Sequence, residues 1–322
     1  MTVSRIERLS WALLARTACG PSITLFELVG RLGAVEAAAA LRSGAVPDPV
    51  LRARVELSGG FEAAARDLDR IERRGGRLVT PDDDEWPREL LSCLPSGSSN
   101  PGDVPPLALW VRGAGSLREI ATRAITLTGT RASTSYGDHV AAQLAGDLCS
   151  RRWAIVAGAG YGIEARAHTS ALAAGGVTVA VLPCGLDLAY PSAHKQLLDN
   201  IAAQGVVVSE HPPGSRPVRF AYLDRNRLLA ALSSAVVAVE AGVRSGTAST
   251  LRWAQRFDRP GFAVPGPITS AASAGCHRFI ADGLAQLATS ADEIVHGLSR
   301  PPSEKGETPA SRSGLTPDSA SQ

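Results

Sequence analysis

The stretch that decides the fold is residues 153–182, WAIVAGAGYGIEARAHTSALAAGGVTVAVL. It reads as a short apolar strand (153–157), a glycine loop, a helix over 163–174, and a second apolar strand (177–182). Continuous apolar strands of four to six residues, separated by a helix of about a dozen, are the signature of a βαβ unit in a parallel sheet covered on both faces. Outward from this unit the pattern repeats. Strands are predicted at 125–128, 206–209, 235–240 and 261–264, and helices at 136–152, 192–204, 225–232 and 248–256. The fold class is therefore α/β, a doubly wound parallel sheet. Further upstream, 77–80 and 107–111 read as strands. Residues 1–75 read as a small all-helical domain, with apolar residues at helical spacing broken at Gly20-Pro21 and Gly30 to Gly33. The division is a helical domain (1–75), a Rossmann-like domain (76–299) and a disordered Ser/Pro-rich tail (300–322).

Composition bounds the function. The 322 residues are 44% hydrophobic and 20% charged, with a formal charge of +2. No apolar run of roughly 18 residues could cross a bilayer, and Glu7 interrupts any signal peptide, so a cytoplasmic protein is expected. The five cysteines are scattered with no C-x-x-C pair, which argues for buried free thiols and against a disulfide framework or a zinc ribbon. Near-neutrality argues against a nucleic-acid partner until the charge is read by position. There are 31 Arg and 2 Lys, and residues 211–259 hold eight arginines against three acids, a local excess of +5. Arginine is the bidentate phosphate donor.

In doubly wound sheets, ligands sit beyond the carboxyl ends of the strands. Four loops there carry candidate groups. Gly129-Thr130-Arg131 leads into a helix and offers backbone donors, a hydroxyl and a guanidinium for a phosphate. Gly158-Ala159-Gly160-Tyr161-Gly162 resembles the dinucleotide fingerprint, but Ile163 stands at its third glycine. Some 20 residues on, Leu182-Pro183-Cys184-Gly185 replaces the acidic ribose ligand, so no cofactor is expected. Arg225-Asn226-Arg227 reads as the opening of a helix, and Arg244-Ser245-Gly246-Thr247 follows a strand. Lys195, in Tyr190-Pro191-Ser192-Ala193-His194-Lys195, sits in the first turn of a helix that Ser192 can cap, and opposes the helix dipole unless an anion balances it. Glu164 and His168 lie four apart on one helical face, an acid/base or half-metal spacing. A Glu bonded to the helical His explains that spacing better, and no third ligand follows. Neither a metal nor catalytic residues are expected.

Taken in order, these loops resemble the DNA-processing protein A (DprA/Smf) family. The motifs are Gly129-Thr130-Arg131, the Ala157 to Glu164 loop with Ala167-His168, and Leu182-Pro183-Cys184-Gly185 with Tyr190-Pro191. They continue with Ser209-Glu210, Arg225-Asn226-Arg227, Ser245-Gly246-Thr247 and Val264-Pro265-Gly266. The resemblance spans about 76–299, and the N-terminus is similar to that family's small SAM or helix-hairpin-helix-like domain. It implies a non-enzymatic single-stranded DNA-binding protein that protects incoming strands in natural transformation (competence), loads RecA recombinase in recombination, and works as a homodimer. Carried over, Arg131, Arg225 and Arg227 would meet phosphates, and Lys195 would match the family's basic residue after Tyr-Pro. Gly129, Thr130, Gly158, Asn226, Ser245, Gly246 and Thr247 would line the same groove. This chain departs from the family pattern at Ala157, Gly160, Glu164 and His194, and the tail leaves no room for the winged helix many members carry. The alternative is a nucleotide phosphoribohydrolase of the lysine-decarboxylase-like family. That family's motif needs a glutamate three residues after the threonine, where Thr247 is followed by Ala248, Ser249 and Thr250.

Overall fold

The structure, a computed structural model, describes residues 3–46, 48–94 and 101–299. The tail and part of the 95–106 loop lie outside the described residues. Five helices open the chain: α1 (Arg5–Ala18), α2 (Ile23–Leu32), α3 (Ala34–Ser43), α4 (Pro49–Ser58) and α5 (Gly60–Glu72). Then come β1 (Gly76–Val79), α6 (Arg88–Leu91), β2 (Leu109–Arg112), α7 (Leu117–Ala121), β3 (Ala124–Thr128), α8 (Ser135–Ser150), β4 (Ala154–Ala157), α9 (Ile163–Ala173) and β5 (Thr178–Leu182). The chain continues through α10 (Lys195–Gln204), β6 (Val206–Ser209), α11 (Arg219–Ala231), β7 (Ala235–Ala238), α12 (Thr247–Arg256) and β8 (Gly261–Ala263). It ends with α13 (Ala274–Ala281), β9 (Gln286–Leu287) and α14 (Ala291–Gly297).

One nine-stranded sheet runs β1-β2-β6-β5-β4-β3-β7-β8-β9. From β6 to β9 every pairing is parallel, as the βαβ pattern requires. β1 and β2 extend it antiparallel, a direction that short apolar runs do not encode. Successive residues fall alternately into cores on opposite faces. Val179, Val181, Val206, Val208 and Val236 pack with α11, α12 and α13, whereas Ile125, Leu127, Ile155 and Val237 pack under α8 and α9. The five N-terminal helices close over Leu78, Trp110, Ala180 and Val207, so the helical segment and the sheet share one core. The central strands β3 to β7 thus bury both faces, which is why they read as unbroken apolar runs, whereas the two residues of β9 are exposed.

Three local expectations change. α11 starts at Arg219, so Arg225-Asn226-Arg227 lies inside the helix and does not open it. Ser192 opens a short 3-10 turn and caps nothing. The cysteines are all free, yet Cys19 is exposed while Cys184 and Cys276 are buried, their thiols pushed up to about 12 by burial. Among the described residues no helix is long and apolar enough to cross a membrane.

Strand order reverses beside β3. β4, β5 and β6 run off one side of it and β7, β8 and β9 off the other. That switch point opens a crevice at the carboxyl ends of the strands.

Candidate nucleic-acid interface

The crevice is a cavity of about 450 Å³. Gly129, Thr130 and Arg131 enter it from the end of β3, Gly158 from the end of β4, and Arg225 and Asn226 from α11. Ser245, Gly246 and Thr247 close it from the start of α12. Nine of the residues singled out in the sequence therefore meet in one place, and their loops explain how.

The Gly129–Thr134 turn is clamped by Glu240, at the end of β7. The Glu240 carbonyl accepts the Thr130 N–H at 2.7 Å, and its carboxylate accepts the Thr134 N–H at 2.9 Å and the Thr134 hydroxyl at 2.6 Å. Gly129 and Gly137 are forced by that clamp. A Cβ at Gly129 would lie 2.7 Å from the Glu240 carbonyl, and one at Gly137 2.1 Å from its carboxylate. The carboxylate also places negative charge beside the N-terminus of α8, the favourable end of the dipole. With its backbone held, Arg131 is exposed, and its guanidinium lies over the Tyr222 ring, 4.9 Å from the centroid.

Arg225 is the floor. It is 7% exposed, its Nη1 donates to the Val181 carbonyl at 3.3 Å and stands 3.8 Å from Glu164, and its Nε has no partner. Burial lowers its affinity for its proton. The guanidinium lies so close to the β4 loop that a Cβ at Gly158 would fall 1.3 Å from Nη1. Gly158 is thus a seat for an arginine. The loop glycine makes room for a cation that would meet a phosphate.

Arg227 does not reach the cavity. Fully buried, it donates through Nη2 to both Glu210 oxygens, at 2.6 and 2.7 Å, on the far side of α11. Burial raises the Glu210 carboxyl, with Arg227 opposing that shift. The phosphate role assigned to Arg227 is therefore corrected: helical positions i and i+2 face different ways, and only one of the two arginines can line a given surface. Lys195 is also outside the cavity wall. It is exposed and pairs with Asp199 at 2.8 Å, which supplies the anion its place in the dipole requires. The +5 excess shrinks for the same reason: Arg227 and Arg256 are matched by Glu210 and Asp103, acids from outside that segment. Cavity-lining groups that the sequence reading did not select as binding residues include Arg244, Tyr222, Tyr161 and Tyr190. Arg244, Tyr161 and Tyr190 had a signal, standing beside the Ser-Gly-Thr motif, in the glycine loop and in the Tyr-Pro motif, whereas Tyr222 had none.

Glu164 and His168 do not pair. Glu164 accepts the Gly160 N–H at 2.9 Å and the Thr128 hydroxyl at 3.2 Å, while His168 Nδ1 meets the Thr178 hydroxyl at 2.7 Å. No group of three or more metal-ligating side chains occurs among the described residues. Gly160 and Glu164, two of the departures from the family pattern, are in contact with each other: a Cβ at Gly160 would fall 2.7 Å from Glu164 Oε2. His168 has a further consequence. Burial depresses it to about 4, against an ordinary value of 6.5, so the folded protein holds it neutral. The unfolded chain then binds more protons between those values, and stability rises with pH across them. We expect urea unfolding midpoints to be level above pH 7 and to fall from pH 6.5 toward 4, with a shallower fall in His168→Gln.

Comparison with known proteins follows this geometry. The family model described as DNA recombination-mediator protein A matches residues 77–299. The chain belongs to that family. It is 48% identical over 291 residues to a putative DNA processing protein DprA of Mycobacterium tuberculosis (strain CDC 1551 / Oshkosh), covering 89% of this chain and 74% of that one. The X-ray structure of the family member from Streptococcus pneumoniae superposes with a TM-score of 0.73 at 27% identity, over 92% of this chain and 98% of the other. A Helicobacter pylori member, reported for its unique single-stranded DNA binding mode, superposes at 0.58 with 27% identity, over 69% and 95%. The family's fold, a mostly parallel Rossmann-like sheet, is the one described above, and a DNA-processing role comes with family membership.

Proposed function

We propose that the cavity and its rim hold the backbone of single-stranded DNA, irrespective of sequence, and that the protein performs no chemistry on it. The observation that carries this is the convergence of Arg131, Arg225 and Arg244 with glycine turns and hydroxyls at the switch point. Guanidiniums and small turns contact phosphates, while tyrosines at the rim offer faces on which any base can stack. The H. pylori relative's reported single-stranded DNA binding supports the same reading. On this reading the protein acts in the cytoplasm as a homodimer, shields incoming strands during transformation and delivers them to RecA recombinase. Lys195, exposed on α10, would meet the strand outside the cavity.

The test is an anisotropy titration of mixed-sequence oligonucleotides across salt concentrations, run beside a RecA filament-assembly assay. Wild type should bind with a steep salt dependence, and Arg131→Ala with Arg225→Ala should flatten the log–log slope by about 1 to 1.5, the loss of two phosphate contacts. Absence of binding at low salt, or an unchanged slope in the double variant, sinks the DNA reading. Unaltered filament assembly sinks the loading role alone, and release of base from a nucleoside monophosphate would replace both with a hydrolase.

A further inference from the structure

The cavity is more positive than a passing phosphodiester requires. Its charged walls are Arg131, Arg225 and Arg244 against the carboxylate of Glu164. An internal phosphodiester brings one negative charge and two free oxygens. A terminal phosphate brings about −1.5 to −2 at neutral pH and three oxygens, which matches three guanidiniums less one carboxylate.

Arg225 supplies the second observation. A cation only 7% exposed, whose hydrogen bond to the Val181 carbonyl is a long 3.3 Å and whose nearest carboxylate oxygen is 3.8 Å away, is under-compensated for its burial. It lies at the wall of the cavity, against Gly158, with Pro183, Tyr190 and Pro191 also lining the space. A phosphodiester has a sugar on each side, so its phosphate cannot be brought end-on to a buried floor without threading both neighbours past the rim. A phosphate with one ester bond can enter end-on, and about 450 Å³ lies in the size range of pockets that take one small ligand.

We propose that the cavity seats a phosphomonoester, either the terminal phosphate of a DNA strand or that of a free nucleotide. This rests on the reading of the cavity as the DNA site and makes the floor the place where a strand end is held most tightly, an internal phosphodiester meeting Arg225 through fewer oxygens.

The experiment compares one mixed-sequence oligonucleotide carrying a 5′-phosphate, a 3′-phosphate or hydroxyl ends, together with circular single strands. Displacement of the hydroxyl-ended strand by thymidine monophosphate is set against displacement by thymidine. A phosphorylated end should bind about tenfold tighter than the hydroxyl end, as expected for one added set of charge-assisted hydrogen bonds. The preference should vanish in Arg225→Ala, and also in Gly158→Ala, which displaces the same guanidinium without removing it. End preference assigns the site to strand ends, and displacement by the monophosphate but not by thymidine assigns it to free nucleotides. Equal affinity for all strands with no displacement overturns the proposal while leaving DNA binding intact. No binding of any strand overturns the parent reading as well.

Discussion

Arg227→Ala is expected to lower the stability of the protein by about 3–5 kcal/mol, because it leaves the Glu210 carboxylate buried without its partner. The side chain is fully buried, and its two hydrogen bonds to Glu210 are bidentate through one nitrogen. Removing both partners is a different experiment. Arg227→Met with Glu210→Leu replaces the pair by apolar bulk and should recover most of the loss, since the desolvation cost of both charges disappears with them. Urea unfolding of the three proteins measures this. A loss below about 1 kcal/mol in Arg227→Ala, accompanied by weakened DNA binding, would return Arg227 to the binding surface.

Gly158→Ala is expected to do the reverse: fold nearly as wild type and bind DNA about ten- to a hundredfold more weakly. The atom that the new methyl meets, 1.3 Å away, is the far end of a long side chain, so the backbone has no need to move. The guanidinium must leave its seat, and with it goes a charge-assisted contact of roughly 1.5–3 kcal/mol. Gly129→Ala meets the Glu240 carbonyl and the Ile163 side chain instead, and should cost stability as well as binding. Equal unfolding midpoints for Gly158→Ala and wild type, with titrations that separate them, would establish the distinction. Undiminished affinity in Gly158→Ala would show that Arg225 does not need its seat.

Much of this was legible in the sequence. The central strands were, because both faces of each are buried and the apolar runs are unbroken, whereas the exposed two-residue β9 was not. The glycine-bearing turns at 129 and 158 were, because a close approach at a strand end leaves few residue types that fit. Arg225 and Arg227 both lie in the helix predicted at 225–232, so their opposite faces follow from the helical repeat, but which of the two faces meets the cavity does not. The charge excess failed for a different reason: Glu210 stands one residue before the stretch that was counted, and Asp103 arrives from a distant part of the chain that no window around it can see. Glu240 was silent too, since its work is to hold a turn more than a hundred residues upstream, and only strand order brings the two together.

The reversal of strand order beside β3 also sets a timetable. Arg131 follows β3, but the residues that fix its turn and complete the wall follow β7, and β3 pairs with β7 through Ile125 and Ala235. A ribosome that has emitted the first two hundred residues has therefore exposed a guanidinium loop with nothing to hold it. Closing a loop of roughly a hundred residues is a non-local, late event in folding. Competence to grip a phosphate is gained in that step, so unfinished chains would be poor traps for nucleic acid during their own synthesis.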